Sequence, residues 1–257
     1  MAARRIPFVK MHGAGNDFVM VDDRAGRFPV DRIRTLANRP DGIGSEGVIL
    51  LSRSERANFR MRFFNPDGTE AELCGNGARC VAAFARAIGA VQTDVMEFET
   101  LAGRLRAEVL SDGRVRIAMP PLGELRCDFA CTGVPHRIVP VADLAAVDVA
   151  GEGRRIRFAP EHAPNGTNVD FVRFAPPHAL SLRTYERGVE AESGACGTGA
   201  VAAVVVGVAQ YGLAFPVKVT TRGGYELEVG GEYDGGVFSS LTLTGPVRRV
   251  FEGVIEL

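Results

Sequence analysis

Lysine is scarce in this sequence, in which only Lys10 and Lys218 among the 30 basic residues are lysines and the rest are arginines. A compositional bias of the source accounts for this scarcity without a functional cause. It still restricts the chemistry, because a Schiff base with a carbonyl substrate or with pyridoxal phosphate would have to form on one of these two side chains.

Long apolar runs are also missing. No stretch of about 18 apolar residues occurs, so no segment is expected to cross a bilayer. The opening MAARRIPFVKMHG has two arginines but no apolar core of a secretory signal, which predicts a cytoplasmic protein. The net charge of −1 argues against nucleic acid or an anionic membrane as a partner, because either would require a basic surface.

The five cysteines do not suggest a disulfide framework, since their number is odd and a chain of 257 residues can bury a core without staples. Their spacing does not suggest zinc either, because no Cys-x-x-Cys or His-x-x-x-His pair completes a site. We therefore expect reduced thiols and no metal. Cys80, Cys127 and Cys131 are interpreted as structural.

Apolar periodicity and turn residues predict the elements of the chain. In the first half they predict strands at 6–11, 18–21, 48–51, 59–63, 95–99, 105–110 and 115–118, a glycine-rich loop at 12–17, a turn at 65–68, and helices at 30–37 and 77–88. In the second half they predict strands at 137–141, 154–158, 169–174 and 180–185, and a long helix at 199–211. Pro120 and Pro121 interrupt both kinds of element and mark the candidate domain boundary.

The two halves of the chain share one local pattern. Cys74-Gly-Asn-Gly-Ala in the first half matches Cys196-Gly-Thr-Gly-Ala in the second, and an apolar helix follows each. Each cysteine also has a glutamate four residues before it and an aromatic residue eleven before it, which are Glu70 and Phe63, and Glu192 and Tyr185. This pattern indicates an internal duplication and two α/β domains, each with a sheet curled around one central helix. Residues 200–209 carry no polar side chain, so protein is expected to surround that helix on all sides.

A cysteine directly before a helix lies in the positive end of the helix dipole, which favours the thiolate and can lower the thiol's pKa. Two such cysteines can invert a carbon next to a carboxylate, with one removing the α-proton while the other delivers a proton to the opposite face. The backbone N–H groups at the two helix starts, those of Gly75, Asn76, Gly197 and Thr198, would hold the carboxylate, and no cofactor would be needed. A single cysteine of this kind is more often a small buried residue, but packing alone does not explain two matching loops.

Three blocks of the sequence resemble the signatures of diaminopimelate epimerases. They are residues 10–18 (KMHGAGNDF), residues 65–70 (NPDGTE) leading into 74–80 (CGNGARC), and residues 185–188 (YERG) leading through Glu192 to 195–200 (ACGTGA). The resemblance covers nearly the whole chain. It implies an α/β (α+β) fold of two pseudo-symmetric domains, residues 1–120 with 247–257 and residues 121–246, each a curled, mostly antiparallel sheet around a helix, with the active site in the cleft between them.

The same resemblance implies interconversion of LL- and meso-diaminopimelate for lysine and peptidoglycan biosynthesis, without pyridoxal phosphate. By position, Cys74 and Cys196 match the family's proton-transfer cysteines. The residues that match the family's substrate-binding positions are Asn16, Asn65, Asn168, Glu186 and Arg187. His136 and, again, Glu186 match residues that tune the cysteines. A homodimer is also expected, with Phe251 where the family often has an interface tyrosine.

These residue types suit the substrate, whose non-reacting centre presents a carboxylate for Arg187 and an ammonium for Glu186. Each residue taken alone also fits a simpler role: Glu186 and Arg187 as a solvated surface pair, His136 as a turn histidine, and Asn16 and Asn168 as turn residues. Two positions depart from the family, with Val134 in place of an asparagine and Gly47 in place of a glutamine. These departures affect substrate recognition more than the type of reaction.

Three other functions remain compatible with parts of the sequence. A proline or hydroxyproline racemase would use the same two thiols, but its substrate would not need the distal clamp of Glu186 and Arg187. A thiol switch or binding module would instead oxidise Cys74 and Cys196 to a disulfide. An isomerase of the phenazine-synthesis type would share the fold without the paired cysteines.

Overall fold

The computed structural model describes residues 5–256, so residues 1–4 and 257 of the predicted first domain lie outside the described part. The strands are β1 (Arg5–Gly13), β2 (Asn16–Asp22), β3 (Val48–Ser52), β4 (Phe59–Phe64), β5 (Glu70–Ala71), β6 (Val95–Thr100), β7 (Gly103–Val109), β8 (Val115–Ala118), β9 (Leu125–Arg126), β10 (Phe129–Cys131), β11 (Pro135–Pro140), β12 (Asn168–Ala175), β13 (Ala179–Glu186), β14 (Ala191–Ser193), β15 (Val217–Thr220), β16 (Glu226–Asp234), β17 (Val237–Gly245) and β18 (Val247–Glu256). The helices are α1 (Ile33–Ala37), α2 (Gly75–Ala87), α3 (Val149–Arg157) and α4 (Gly197–Gln210), with short 3-10 turns at Val30–Arg32 and Pro160–His162.

The chain divides into two compact units. Unit 1 is Met1–Ile117 with Pro246–Leu257, and unit 2 is Ala118–Gly245. The division lies close to the boundary expected at Pro120 and Pro121. The assignment of two epimerase domains with an active site between them stays a prediction.

Both units pair their strands in the same order. In unit 1, β2 pairs parallel with β3, β3 antiparallel with β4, β4 antiparallel with β5 and parallel with β6, and β6 antiparallel with β7. In unit 2, β11 pairs parallel with β12, β12 antiparallel with β13, β13 antiparallel with β14 and parallel with β15, and β15 antiparallel with β16. The predicted duplication is therefore confirmed at the level of topology, as is the mixed α/β fold class.

The helix that follows each cysteine is the buried one in its unit. In α4 the residues from Gly199 to Gly207 are buried, which confirms the expectation drawn from its lack of polar side chains. Helix α2 is buried over most of its length, from Asn76 to Ala82 and again at Phe84 and Ala85. Each helix begins two residues earlier than predicted, directly after its cysteine.

The strand predicted at residues 154–158 is wrong, because these residues belong to α3 and its C-terminal end. Asp148 caps this helix by accepting a hydrogen bond from the Gly151 N–H at 3.0 Å. Gly153 lets the helix approach Tyr185, since a Cβ at this position would lie 2.5 Å from that of Tyr185. Two glycines in nine residues weaken the helical signal of the sequence, and tertiary packing decides the outcome.

The glycine-rich loop predicted at residues 12–17 is shorter in the structure. Gly13 pairs with Asn16 across a hairpin whose two turn residues are Ala14 and Gly15, with φ of 52° and 89°. Positive φ at both turn positions matches the twist of a two-residue hairpin. As a result Asn16 is the first residue of a paired strand rather than a loop residue.

Within residues 5–256, helices are too short or too polar to span a bilayer.

The close approach of β1 to α2 yields a test of the fold. A Cβ on Gly13 would lie 2.7 Å from the Asn76 carbonyl oxygen and 3.3 Å from the Cys80 sulfur. Gly13→Ala is therefore expected to lower the free energy of unfolding by about 1–3 kcal/mol, the usual cost of overpacking a filled core. Urea denaturation measures this change. Gly194→Ala is the matched control, because nothing lies within 4 Å of a Cβ there, and equal losses in both variants would contradict the packing argument.

Candidate active site

The two cysteines are the N-cap residues of the two buried helices. Cys74 has φ −128° and ψ 117°, and Cys196 has φ −108° and ψ 112°, so both are extended residues at a helix start. Their carbonyl oxygens accept the first helical hydrogen bonds, from the Ala78 N–H at 2.7 Å and from the Ala200 N–H at 3.0 Å. The N–H groups of the residues in between have no acceptor within the helix, which gives each sulfur a cradle for an anion.

The duplicated glutamates anchor the segment that leads to each cysteine. Glu70 forms a two-pronged ion pair with Arg62, at 2.9 Å from Nε and 2.7 Å from Nη2. Glu192 does the same with Arg183, at 2.7 Å from Nε and 2.8 Å from Nη2. Each pair ties the short strand before the cysteine to its neighbouring strand, so the shared glutamate has a structural cause.

In unit 1, Asn16 is turned towards Cys74. Its amide oxygen lies 3.5 Å from the Cys74 sulfur and 3.4 Å from Nδ2 of Asn76. Its Nδ2 donates to the Glu46 carboxylate, which fixes the orientation of the amide. Asn16 thus contacts the Cys74 sulfur, and turn chemistry does not account for this contact, while its role in binding substrate stays a prediction.

Asn65 occupies the turn after β4. Its Nδ2 donates to the Thr69 hydroxyl at 3.1 Å, and its carbonyl oxygen accepts from the Gly68 N–H at 2.9 Å. These bonds serve the turn itself, and the role of Asn65 in binding substrate stays a prediction. Cys80, also in unit 1, is fully buried, and burial raises the pKa of its thiol to about 12, so it remains a protonated core residue.

In unit 2, a chain of side chains leads to Cys196. Asp170 Oδ2 lies 2.7 Å from His136 Nδ1, His136 Nε2 lies 3.0 Å from the Thr198 hydroxyl, and that hydroxyl lies 3.5 Å from the Cys196 sulfur. Thr184 donates to the other oxygen of Asp170 at 2.6 Å. His136 is a buried strand residue rather than a turn histidine, and it reaches the sulfur through Thr198.

The direction of the hydrogen bonds between these side chains depends on whether Cys196 is protonated. When Cys196 is a thiol, S–H donates to Thr198, whose O–H donates to His136 Nε2, while Nδ1–H donates to Asp170. When the sulfur is a thiolate, the Thr198 O–H can turn from His136 and donate to the sulfur instead. The arrangement therefore accommodates both protonation states of Cys196 without moving an atom other than hydrogen.

The expectation that the helix start lowers the thiol's pKa is wrong for Cys196. Burial raises the pKa of the Cys196 thiol well above its ordinary value, and the nearby carboxylates of Glu186 and Asp170 add to the rise. Hydrogen bonds from the Thr198 hydroxyl and the Gly199 N–H lower this pKa, but by less than burial and the carboxylates raise it. Desolvation of a sulfur whose residue is 7% exposed outweighs the dipole of the helix.

Asn168 organises the segment that carries Glu186 and Arg187. Its Nδ2 donates to the Pro135 carbonyl oxygen at 3.0 Å, and its Oδ1 accepts from the Arg187 N–H at 2.8 Å. Arg187 itself is half-buried, and its backbone is the part that Asn168 holds. Asn168 is therefore a positioning residue for the loop, and the roles of Glu186 and Arg187 in binding substrate stay predictions.

Gly47 and Val134, the two positions that depart from the family pattern, have different structural settings. A Cβ at Gly47 would lie 2.5 Å from the ring of Phe63, so any longer side chain would require that ring to move. The half-buried Val134 contributes its carbonyl oxygen to the Thr132 N–H at 3.1 Å. Phe251, the expected interface residue, lies on β18 in unit 1 with 47% of its surface exposed and its ring centroid 5.9 Å from that of Phe8.

Asp170 is a residue of the site that the sequence patterns did not single out. Its position two residues after Asn168 on the same strand places both on one face, and that alternation is the signal that could have identified it. Within residues 5–256 no group of three or more His, Cys, Asp or Glu side chains is arranged to hold a metal ion.

Comparison with known proteins shows which family has this arrangement. The family profile described as "Diaminopimelate epimerase" matches residues 8–122 and 129–250. The diaminopimelate epimerase of Chlorobaculum tepidum is 41% identical over 263 residues, covering 96% of this chain and 100% of the relative. That of Aquifex aeolicus is 41% identical over 273 residues, covering 96% of each.

Solved structures share the fold at lower identity. A PhzF-family phenazine biosynthesis protein from Bacillus anthracis superposes with a TM-score of 0.77 at 16% identity, covering 99% of this chain and all of the other. A hydroxyproline epimerase from Agrobacterium vitis gives 0.68 at 19% identity, covering 99% and 93%. Identities this low establish the common fold only.

The ion pair before Cys74 makes stability depend on pH. The hydrogen bonds from Arg62 lower the pKa of Glu70, so the stability contributed by the pair is present above the pKa of the unfolded carboxyl and is lost as the pH falls through the lower folded value. On acidification below about pH 4.3, the free energy of unfolding of the wild type is expected to fall by about 1 kcal/mol more than that of Glu70→Gln.

Urea titrations across the acid range measure this difference. Glu55→Gln is the control, because it removes an exposed carboxylate that forms no ion pair with a described residue. Parallel acid profiles for the wild type and Glu70→Gln would show that the pair does not anchor the segment.

Proposed function

The chain belongs to the diaminopimelate epimerase family, and on that premise we propose that Cys74 and Cys196 are the two groups that exchange protons at the substrate's α-carbon. The chain is an isomerase that interconverts LL- and meso-diaminopimelate, in the pathway to lysine and peptidoglycan precursors. The observation that carries the proposed roles is the matched position of the two sulfurs, each the N-cap of a buried helix in a unit of the same topology.

Each sulfur is base in one direction of the reaction and acid in the other. Cys196 starts as the acid, because burial and two carboxylates keep its proton in place. Cys74 then starts as the base. The N–H groups at the helix starts, those of Gly75, Asn76, Gly197 and Thr198, bind the α-carboxylate and stabilise the negative charge that develops when the α-proton leaves.

The chain from Asp170 through His136 and Thr198 tunes Cys196. After Cys196 has delivered its proton, the Thr198 hydroxyl can turn its hydrogen from His136 to the sulfur, which stabilises the thiolate. Glu186 lies close enough to oppose that thiolate, so its negative charge favours return of the proton. These two influences keep Cys196 able to work in both directions.

The distal centre of the substrate is bound by the segment that Asn168 positions. Arg187 supplies a planar fork for the distal carboxylate, and Glu186 accepts from the distal ammonium. Asn16 and Asn65 provide further amide contacts in unit 1. A racemase of a monocarboxylate would need no such clamp, and the likeness to the hydroxyproline epimerase extends to the fold alone.

A homodimer in the cytoplasm completes the proposal. On β18 the apolar side chains of Val250, Phe251 and Val254 are each about half exposed, which leaves this strand with an apolar patch. We expect a second copy of the chain to cover this patch. The five free cysteines suit a reducing compartment.

The activity test uses LL-diaminopimelate in D₂O and follows α-deuterium incorporation and meso product by NMR. Cys74→Ser and Cys196→Ser are each expected to slow epimerisation about a hundredfold or more, because a serine hydroxyl gives up its proton far less readily than a thiol and is not available as the anionic base. Cys127→Ser, which changes an exposed cysteine, is the control and should retain the wild-type rate.

The outcomes of this test separate two questions. No exchange by the wild type would refute the activity itself. Normal exchange by the wild type, together with an unaffected rate in either serine variant, would refute the two-thiol mechanism but not the assignment of the substrate.

The dimer is tested by the molar mass in solution. Phe251→Asp places a charge in the apolar patch and is expected to convert the dimer to a monomer, as measured by size-exclusion chromatography with light scattering. Val237→Asp is the control, since Val237 is 67% exposed and lies outside the patch. A wild-type protein that elutes as a monomer would contradict the proposal.

A further inference from the structure

His136 and Asp170 form a polar pair in the interior of unit 2. Both side chains are 0% exposed, and Asp170 Oδ2 lies 2.7 Å from His136 Nδ1. The Thr184 hydroxyl donates to the other oxygen of Asp170 at 2.6 Å, so both oxygens of this carboxylate have a donor. Burying such a pair carries a desolvation cost that an apolar pair of similar size does not have. Packing alone would therefore favour apolar residues at these two positions.

The strand pairing identifies the positions of unit 1 that correspond to this pair. Counting across the strands from the duplicated glutamates Glu70 and Glu192 gives three pairs of corresponding residues, which are Phe64 and Tyr185, Val48 and Val169, and Val19 and Arg137. The residue after the second pair is Asp170 in unit 2 and Ile49 in unit 1. The residue before the third pair is His136 in unit 2 and Phe18 in unit 1.

The contacts with the buried helices support this correspondence. In unit 1, Ile49 Cδ1 lies 2.8 Å from the place of a Cβ on Gly77, the third residue after the cysteine. In unit 2, the Asp170 carboxylate lies where a Cβ on Gly199 would be, again at the third residue after the cysteine. Phe18 and Ile49 are both 0% exposed. Unit 1 thus forms the same strands and helix start around an apolar pair, so this fold does not require a polar one.

The carboxylate of Asp170 determines which ring nitrogen of His136 carries the hydrogen. An ionised carboxylate only accepts, so Nδ1 carries the hydrogen and Nε2 of the neutral ring is an acceptor. The Thr198 hydroxyl lies 3.0 Å from Nε2 and 3.5 Å from the Cys196 sulfur. Thr132 donates to the Thr198 carbonyl oxygen at 3.0 Å, which holds the backbone of Thr198 in place. The hydroxyl hydrogen of Thr198 therefore has two alternative acceptors, Nε2 and the thiolate.

The other tautomer of His136 would remove this choice. A hydrogen on Nε2 would donate to the Thr198 oxygen, and the Thr198 hydroxyl hydrogen would then point to the sulfur in both of its protonation states. The S–H of Cys196 would meet that hydrogen instead of a free lone pair. Only the tautomer that Asp170 selects lets the hydroxyl serve the thiol and the thiolate in turn.

We propose that Asp170 is a positioning residue for proton exchange at Cys196, which holds the hydrogen of His136 on Nδ1 so that the Thr198 hydroxyl can turn between Nε2 and the sulfur. This proposal deepens the proposed function and rests on the role assigned there to Cys196. Phe18 and Ile49 support it, because they show that the same fold packs these positions with apolar residues when no such switch is present.

The first test locates the hydrogen on His136 in the protein without substrate. Nitrogen NMR of isotopically labelled histidine distinguishes a ring nitrogen that carries hydrogen from one that does not. The chain has 4 histidines, so the His136 signals are assigned by their loss in His136→Phe. Nδ1 is expected to carry the hydrogen and Nε2 to be bare at neutral pH. A hydrogen on Nε2 would overturn the proposal.

The second test measures the kinetics of Asp170→Asn. An amide can present either its oxygen or its NH₂ group to Nδ1, so it does not select one tautomer. We expect kcat to fall about tenfold or more and KM to stay within about threefold, because Asp170 acts on the proton exchange and does not touch substrate. Asp143→Asn is the control, since it makes the same change at an exposed carboxylate of unit 2, and should retain the wild-type kcat. A wild-type kcat in Asp170→Asn would sink the proposal.

A third test copies the apolar pair of unit 1 into unit 2. The double variant His136→Phe with Asp170→Ile is expected to unfold at a urea concentration no lower than the wild type does, yet to epimerise about a hundredfold more slowly or less. If the pair served packing alone, the stable variant would also be active, and that result would contradict the proposal. If the double variant does not fold, the position of the hydrogen in the wild type decides.

These tests separate failure of the inference from failure of the proposed function. The ring measurement contains no substrate, so it is read independently of epimerase activity. Absence of exchange by the wild type refutes the proposed function, whereas normal exchange by a wild type whose His136 carries hydrogen on Nε2 refutes this inference alone.

Discussion

The structure depends on one constraint, which is that a sulfur must stand at the start of a helix whose body is buried. Such a helix needs an extended residue as its N-cap and an apolar or well-matched surface behind it, and both Cys74 and Cys196 meet these conditions. The other features follow from keeping that residue in place. The ion pairs Arg62–Glu70 and Arg183–Glu192 hold the approach to each helix, and glycines allow neighbouring backbone and side chains to pack against its first turn.

The backbone is arranged alike around the two sulfurs, but the neighbouring side chains differ. Cys196 is enclosed more tightly and faces carboxylates, so the cost of desolvation exceeds the benefit of the helix start. Cys74 is less enclosed, and the neighbouring charge within its own helix is positive. A reversible proton exchange requires that each sulfur can gain and lose a proton, and these unlike surroundings distinguish the two sulfurs.

Much of this could be predicted from the sequence, for identifiable physical reasons. The repeated Cys-Gly-x-Gly-Ala marks helix starts because glycine and an N-cap residue are local signals, and the apolar run after Cys196 predicts a buried helix without reference to the rest of the fold. The sequence pattern does not predict helix α3, because Gly151 and Gly153 weaken its local propensity, while the contact with Tyr185 that stabilises it is distant in sequence. Asp170 and the raised pKa of Cys196 depend on which strands lie side by side, and a single sequence does not contain that information in readable form.

The common order of strand pairing in the two units has a consequence for how such an enzyme can arise. Two identical copies of one unit would carry sulfurs of equal proton affinity, and any substitution near one would recur near the other. Joining the copies in a single chain removes that restriction, because position 79 can hold arginine while the corresponding position 201 holds valine. Covalent fusion thereby converts a symmetric pair of thiols into a polarised one, in which donor and acceptor can be adjusted separately.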